Sequence, residues 1–219
     1  LRQFTEEHKI NIIVGAPLAS EGKLFNSAIF ISCGSILGVV PKIFIPNAVE
    51  YYEERWFSSG YDSESGTISI AGNDVPFGTD LIFSASDFPE MKIGIEICED
   101  LWSVVPPSSD LALAGANVLV NLSASDEYIG KAKYRRDLVV SQSARCHAAY
   151  LYATAGASES TTDLLFSGHS MIAENGTLLV ENERFSFESK YIIADIDIDK
   201  LNSERYKNNS FAYGKAKNF

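Results

Sequence analysis

Cys98 stands at the C-terminal end of an apolar run, Lys92-Ile93-Gly94-Ile95-Glu96-Ile97, and is followed at once by Glu99-Asp100-Leu101-Trp102. A strand that delivers a thiol to its carboxyl edge and then turns sharply is one way an α/β protein presents a nucleophile. A buried strand cysteine is the ordinary fate of a free thiol, so position alone leaves the two readings near even. The two acids favour a polar pocket at the strand end, which burial does not require. A working thiol also needs a cation close by. Lys42, directly after Pro41 and set among Val39, Val40, Ile43, Phe44 and Ile45, is the candidate. Standing alone it reads as a lysine that lays its stem on apolar surface and keeps its ammonium in water. Paired with a strand-end thiol, it can hold a thiolate and an oxyanion. The run Glu50-Tyr51-Tyr52-Glu53-Glu54-Arg55-Trp56-Phe57 follows. Either it is a solvated face with aromatic anchors, or it places one glutamate, Glu50 first, beside that amine.

The common alternatives are missing. There is no G-x-S-x-G, no H-E-x-x-H and no G-x-x-x-x-G-K-[ST]. His147 lies in an apolar segment and reads as structural. His169, in Phe166-Ser167-Gly168-His169-Ser170, is the better partner for a cysteine, although this stretch reads equally well as a turn. Cys33, Cys98 and Cys146 form an odd set without metal-ligand spacing, so no metal site and a reducing compartment are expected. The 219 residues are 46% hydrophobic and 21% charged, which describes one domain with a substantial core. Eighteen basic against 29 acidic residues give a formal charge of −11, which argues against a nucleic-acid partner. No apolar run reaches membrane-spanning length and no signal peptide is evident, so a cytoplasmic location without a membrane partner is expected.

Strands must do most of the positioning. Residues 1–9 read as the tail of a helix whose beginning is absent, which marks the chain as a fragment. Strands are expected at 10–17, 24–32 and 36–40 as a meander, at 67–71 and 75–77 as a hairpin turning through Gly72-Asn73-Asp74, and at 81–83 and 92–98. A helix over 111–114, capped by Ser108-Ser109-Asp110 and ended by Gly115, precedes a strand at 116–123. The longest helix, 131–146, turns Tyr134, Leu138, Val139, Ser143 and Ala144 inward and keeps Arg135, Arg136 and Asp137 largely outside. Strands at 147–154, 170–173, 178–181 and 191–196 close the domain, with Asn175-Gly176 as a hairpin turn. Residues 206–219 are polar and basic and read as a linker. The class is α/β with many antiparallel strands, best satisfied by two sheets covered by helices.

Several separated motifs then converge. Gly38-Val39-Val40-Pro41-Lys42, the Glu50 to Phe57 run, Ile95-Glu96-Ile97-Cys98-Glu99-Asp100, Pro106-Pro107-Ser108, Leu113-Ala114-Gly115-Ala116 and Asn121-Leu122-Ser123-Ala124-Ser125 resemble the nitrilase superfamily of carbon–nitrogen hydrolases. Tyr152-Ala153-Thr154-Ala155-Gly156-Ala157-Ser158-Glu159-Ser160-Thr161-Thr162-Asp163-Leu164 narrows the resemblance to the glutaminase domains of glutamine-dependent NAD⁺ synthetases.

The resemblance implies a nitrilase-type α-β-β-α sandwich over residues 1–205, incomplete at its N-terminus, with 206–219 leading toward a synthetase domain outside this chain. It puts the nucleophile on Cys98 and the catalytic lysine on Lys42. Glutamine-binding roles fall on Glu99 and Ser125, with Glu50 and Trp102 as further substrate contacts. The backbone N–H of Glu99 and the Lys42 ammonium would stabilise the oxyanion, and Glu99 would receive the α-ammonium of glutamine. Ala48 stands where family members commonly carry an aromatic residue, and no residue matches the family's acid/base glutamate, so little activity is expected of the chain alone. It also implies a homo-oligomer, no cofactor in this domain, and ATP and Mg²⁺ only in the synthetase domain. The alternatives are a stand-alone amidase or carbamoylase with another substrate and a non-catalytic assembly domain.

Overall fold

A computed structural model describes residues 1–216. The chain divides into two compact units, Leu1–Leu81 and Ile82–Phe219.

The first unit opens with helix α1 (Arg2–His8) and continues into strands β1 (Ile12–Ser20), β2 (Lys23–Ser32) and β3 (Ser35–Pro41), an antiparallel meander in that order. A second hairpin joins β4 (Thr67–Ile70) to β5 (Asn73–Pro76). Each of the three hairpins turns on two residues with positive φ: Glu21-Gly22, Cys33-Gly34 and Ala71-Gly72. Such turns match the twist of the strands they join, and glycine takes the left-handed position at no steric cost. The last turn lies earlier than the expected Gly72-Asn73-Asp74, because Asn73 and Asp74 already pair with Ile70 and Ser69. Phe25, Val39, Ile68, Val75 and Phe77 form the core of this unit.

The second unit is built on a six-stranded sheet. Its strands are β6 (Ile82–Ser84), β7 (Lys92–Ile97), β8 (Val118–Ser123), β9 (Ala149–Thr154), β10 (Met171–Glu174) and β11 (Thr177–Glu181). They lie in the order β11-β10-β9-β8-β7-β6, with β7, β8 and β9 parallel and the outer pairs antiparallel. Helix α2 (Pro107–Leu113) connects β7 to β8, and α3 (Lys131–Cys146) connects β8 to β9. The carboxyl ends of the three parallel strands therefore share one edge of the sheet. Leu101, Leu111, Leu119, Val139, Tyr150 and Met171 are central to the main core. Gly94 of β7 lets α2 come close, since a Cβ there would meet Leu111 and Ala116 side-chain atoms at 3.1 Å.

Four expectations are corrected here. Helix α2 starts at Pro107 with Pro106 as its cap residue, so Ser108, Ser109 and Asp110 lie inside its first turn. Proline suits that position because its missing N–H would have no helical partner there. On α3, Arg135 is fully buried while Tyr134 is 53% exposed. The inward stripe is Lys131, Arg135, Val139, Gln142, Ser143 and Cys146. Val139 and Ser143 face inward as expected and Leu138 packs on the main core. The departures are the exposed Tyr134 and the buried Arg135, because much of this stripe is polar and apolar periodicity does not register it. Residues 191–196 form no strand. The first part of the segment read as a linker is helical: α4 (Ile198–Lys207) ends within it, α5 (Asn209–Ala212) follows, and Phe211 packs on the main core, while residues 217–219 lie outside the described residues. Helix α4 is held by Ile198 and Leu201, buried against Val118 and Ala149, and by one buried arginine. Arg205 donates to the carbonyls of Gly115, Ala116, Cys146 and His147 at 2.6–3.3 Å.

Candidate active site

Lys42 and Glu50 belong to the first unit; Cys98, Glu99, Trp102 and Ser125 belong to the second. Within the first unit, Lys42 follows the last residue of β3. Its backbone is tied on both sides, donating to Asn26 O at 2.8 Å and accepting from Gly60 N–H at 2.7 Å. The side chain is buried rather than snorkelling, and Nζ donates to Glu53 Oε2 at 2.7 Å. A buried ammonium needs such a partner, since desolvating an unpaired charge costs several kcal/mol, on the order of the whole stability margin. Glu53 belongs to a 3₁₀ turn, Glu53–Arg55, within the acid-rich run that contains Glu50. The sequence puts Glu50 first among the glutamates of this run, whereas the ion pair with the amine is made by Glu53.

In the second unit, β7 ends at Ile97, and Cys98 takes a left-handed φ of 49° as the first residue of a 3₁₀ turn, Cys98–Trp102. A non-glycine residue pays roughly 1–2 kcal/mol for that conformation, so the surroundings must hold it. They do so from two sides. Asn121 Oδ1 accepts the Cys98 N–H at 3.0 Å, and Asp100 Oδ2 accepts the Ile97 N–H at 2.9 Å. The thiol is 8% exposed. The same turn carries Glu99 and Trp102, so three of the candidate residues are brought together by one short element.

The other two cysteines lack this setting. Cys33 is an exposed turn residue, and burial pushes the Cys146 thiol up to about 12. An uncharged, enclosed thiol of that kind is inert.

Ser125 lies two residues past the end of β8, the strand paired in parallel with β7 through Ile97 and Leu122. It is 3% exposed, and its Oγ accepts from Arg135 Nη2 at 3.4 Å. Arg135 also donates to Asp126 O at 2.8 Å, Glu127 Oε2 at 3.0 Å and His169 Nδ1 at 3.1 Å. Because Nδ1 accepts from the guanidinium, the ring proton is assigned to Nε2, which faces Glu181 Oε2 at 3.0 Å. Burial drives His169 below its ordinary pKa against the pull of Glu181, so the ring is neutral. For Glu127, burial raises the pKa, but hydrogen bonds from Ser167 and Arg135 outweigh it and the carboxyl ends lower. His169 thus sits inside a structural ion network. Trp102 packs edge-on against Tyr134, and the Lys131 ammonium lies 5.3 Å from the Trp102 ring while pairing with Asp126.

Behind Cys98 is a second buried polar group that the sequence reading passed over. Glu96 accepts the Ser108 N–H at 2.8 Å and the Tyr150 hydroxyl, and Tyr150 O accepts from Asn121 Nδ2 at 3.2 Å. Burial raises the pKa of Glu96, with Tyr150 and Ser108 pulling it back. A glutamate between two isoleucines of an apolar strand was the available signal. Among the described residues, no group of three or more His, Cys, Asp or Glu side chains is placed to hold a metal ion. No helix among the described residues is long and apolar enough to cross a membrane.

This arrangement can present a thiol at the carboxyl edge of a parallel sheet, beside a loop that leaves the neighbouring strand with a buried serine. Residues 1–206 match the carbon–nitrogen hydrolase family. A glutamine-dependent NAD⁺ synthetase of Mycobacterium tuberculosis is 52% identical over 200 residues, covering 91% of this chain and 29% of that protein. The crystal structure of a glutamine-dependent NAD⁺ synthetase from Cytophaga hutchinsonii superposes with a TM-score of 0.73 at 29% identity, over 85% of this chain and 30% of that one. Saccharomyces cerevisiae Nit3, of the nitrilase superfamily, matches all of this chain and 70% of its own at a TM-score of 0.69 and 17% identity, a likeness of fold. The chain thus has the nitrilase-superfamily fold, of α/β class, and spans under a third of the length of the synthetases it matches.

Proposed function

As a member of the carbon–nitrogen hydrolase family, this chain is one that we propose hydrolyses the side-chain amide of glutamine and serves as the ammonia-producing part of a glutamine-dependent NAD⁺ synthetase. The observation that carries this reading is Cys98 itself: a strained, held thiol at the carboxyl edge of β7, in a chain half identical to part of a protein so named. An amide is a poor electrophile, so the sulfur must attack while negative charge on the carbonyl oxygen is neutralised. Cys98 Sγ adds to the side-chain carbonyl carbon, the C–N bond breaks, and ammonia leaves with the proton it has gained. Water then cleaves the thioester and returns the thiol. The Glu99 N–H and the Lys42 ammonium are the donors assigned to the oxyanion, each worth roughly 3–4 kcal/mol when well aimed. The Glu99 carboxylate, Ser125, Glu50 and Trp102 are assigned to binding glutamine. The steps above also need a general acid/base to move the proton from the thiol to the leaving ammonia.

The ammonia would feed an ATP- and Mg²⁺-dependent synthetase domain that converts deamido-NAD to NAD⁺, in a cytoplasmic homo-oligomer. Cys98→Ala in the full-length protein that carries this chain tests the reading. Glutamine-dependent NAD⁺ formation should fall at least a thousandfold, while formation from added ammonium persists. Loss of both activities in a folded variant would count against the assignment.

A further inference from the structure

The residues that hold Cys98 form a chain of hydrogen bonds with a direction. At one end, Glu96 is 1% exposed, and its Oε2 accepts the Ser108 N–H at 2.8 Å. Its Oε1 accepts the Tyr150 hydroxyl. A phenol oxygen that donates its own hydrogen to a carboxylate is left with lone pairs, and Asn121 Nδ2 donates to one at 3.2 Å. The same NH₂ also donates to the Cys98 carbonyl at 3.5 Å. With its NH₂ engaged by Tyr150 and by that carbonyl, Asn121 offers its own carbonyl oxygen to the Cys98 N–H at 3.0 Å. Asn121 and Tyr150 are also fully buried, so none of the three can exchange its partner for water.

We propose that Glu96, acting through Tyr150 and Asn121, is a positioning residue for Cys98: the carboxylate fixes which way the Asn121 amide points and so holds the nucleophile in its left-handed turn. The inference rests on Cys98 being the nucleophile of the glutaminase reaction. One consequence is that the Cys98 N–H is already spent on Asn121 and takes no part in oxyanion binding. The donors must come from elsewhere, as the assignment to Glu99 and Lys42 supposes.

The isosteric change Glu96→Gln separates this role from simple packing. A glutamine at 96 must turn its carbonyl to the Ser108 N–H, which puts its NH₂ against Tyr150. The Tyr150 hydrogen then needs an acceptor, and the one at hand is Asn121 Oδ1. Turning Asn121 to meet it brings NH₂ against the Cys98 N–H, donor against donor, and the turn is released. Tyr150→Phe removes the middle link without reversing it, so its effect should be smaller.

Glutamine hydrolysis by the full-length protein should show kcat reduced at least tenfold in Glu96→Gln and about threefold in Tyr150→Phe, with KM within twofold of wild type. Carboxamidomethylation of Cys98 by iodoacetamide, read by peptide mass spectrometry, should change by fivefold or more in Glu96→Gln while the circular dichroism spectrum is retained. An unchanged kcat, or a rise in KM alone, overturns the inference. If Glu96→Gln fails to fold, Tyr150→Phe decides by the same kcat-against-KM criterion. If wild-type protein hydrolyses no glutamine, the glutaminase reading falls, and the inference is judged by Cys98 alkylation, where equal rates in wild type and Glu96→Gln would overturn it.

Discussion

At the scale of single residues, the second unit is governed by charges that an apolar pattern does not reveal. Arg135 is the clearest case. Its helix position, next to Arg136 and Asp137, reads as solvent-facing, yet it is fully buried and donates to Glu127, His169, Ser125 and Asp126. Removing one member of a buried ion pair leaves the other uncompensated, which costs about 3–5 kcal/mol, whereas exposed pairs are worth about 0–1 kcal/mol. Arg135→Met is therefore expected to destabilise the protein by about 3–5 kcal/mol in denaturant unfolding. Arg136→Met, which breaks a half-exposed pair with Glu181, should cost about 1 kcal/mol or less. Equal losses in the two variants would show that the Arg135 network carries no special weight.

At the scale of elements, the strand–turn–helix unit around Cys98 was legible because strand alternation, Gly94 and the acids after the cysteine all lie within eleven residues. Helix α3 was legible in extent and partly in facing. Val139, Ser143 and Leu138 turn inward, but Tyr134 does not and Arg135 does, because the buried stripe is made of Lys131, Arg135 and Gln142 as much as of Val139 and Cys146. Helix α4 was missed, since its sequence is mostly polar and its anchors, Ile198, Leu201 and Arg205, meet Val118, Ala149 and backbone carbonyls more than forty residues away. The approach of α2 to β7 supplies an element-level prediction. Gly94→Ala would push a methyl group against Leu111 and Ala116 and should destabilise by about 1–3 kcal/mol, the usual cost of overpacking. Gly66→Ala, at a glycine with open space around it, should change stability by about 0.5 kcal/mol or less. Thermal unfolding of the two variants checks the contrast.

At the scale of the whole molecule, buried ionisable groups set the acid limit of stability. His169 titrates below its ordinary value of 6.5 in the folded protein, through burial, opposed by Glu181 and assisted by the Arg135 charge. The unfolded chain therefore binds more protons than the folded one as pH falls from about 6.5, and stability declines across that window until His169 protonates in place. Glu127 and Glu181 are held below their ordinary 4.5, burial being outweighed by their hydrogen bonds and cationic neighbours. Their contribution is complete above 4.5 and is lost as pH falls through their folded values. Denaturation midpoints should thus decrease in two stages, the first beginning near 6.5 and the second near 4.5. His169→Gln should flatten the first stage and leave the Glu127 part of the second. A wild-type midpoint constant from pH 7 to 5 would contradict this account.

The sequence by itself determined the elements that local signals specify. Two-residue turns containing glycine and apolar strands identify the α/β class without coordinates, the thiol before two acids singles out Cys98 as a candidate, and the resemblance of separated motifs points to the family, because each depends on neighbours within a few positions. Only the tertiary structure decided what lies behind Cys98. Glu96, Asn121 and Tyr150 are 25 and 29 residues apart along the chain and meet only because β7, β8 and β9 lie side by side in parallel. The physical reason is one of partners. A buried polar group is stable only where donors and acceptors match, and the chain reveals the group but not the contact that satisfies it.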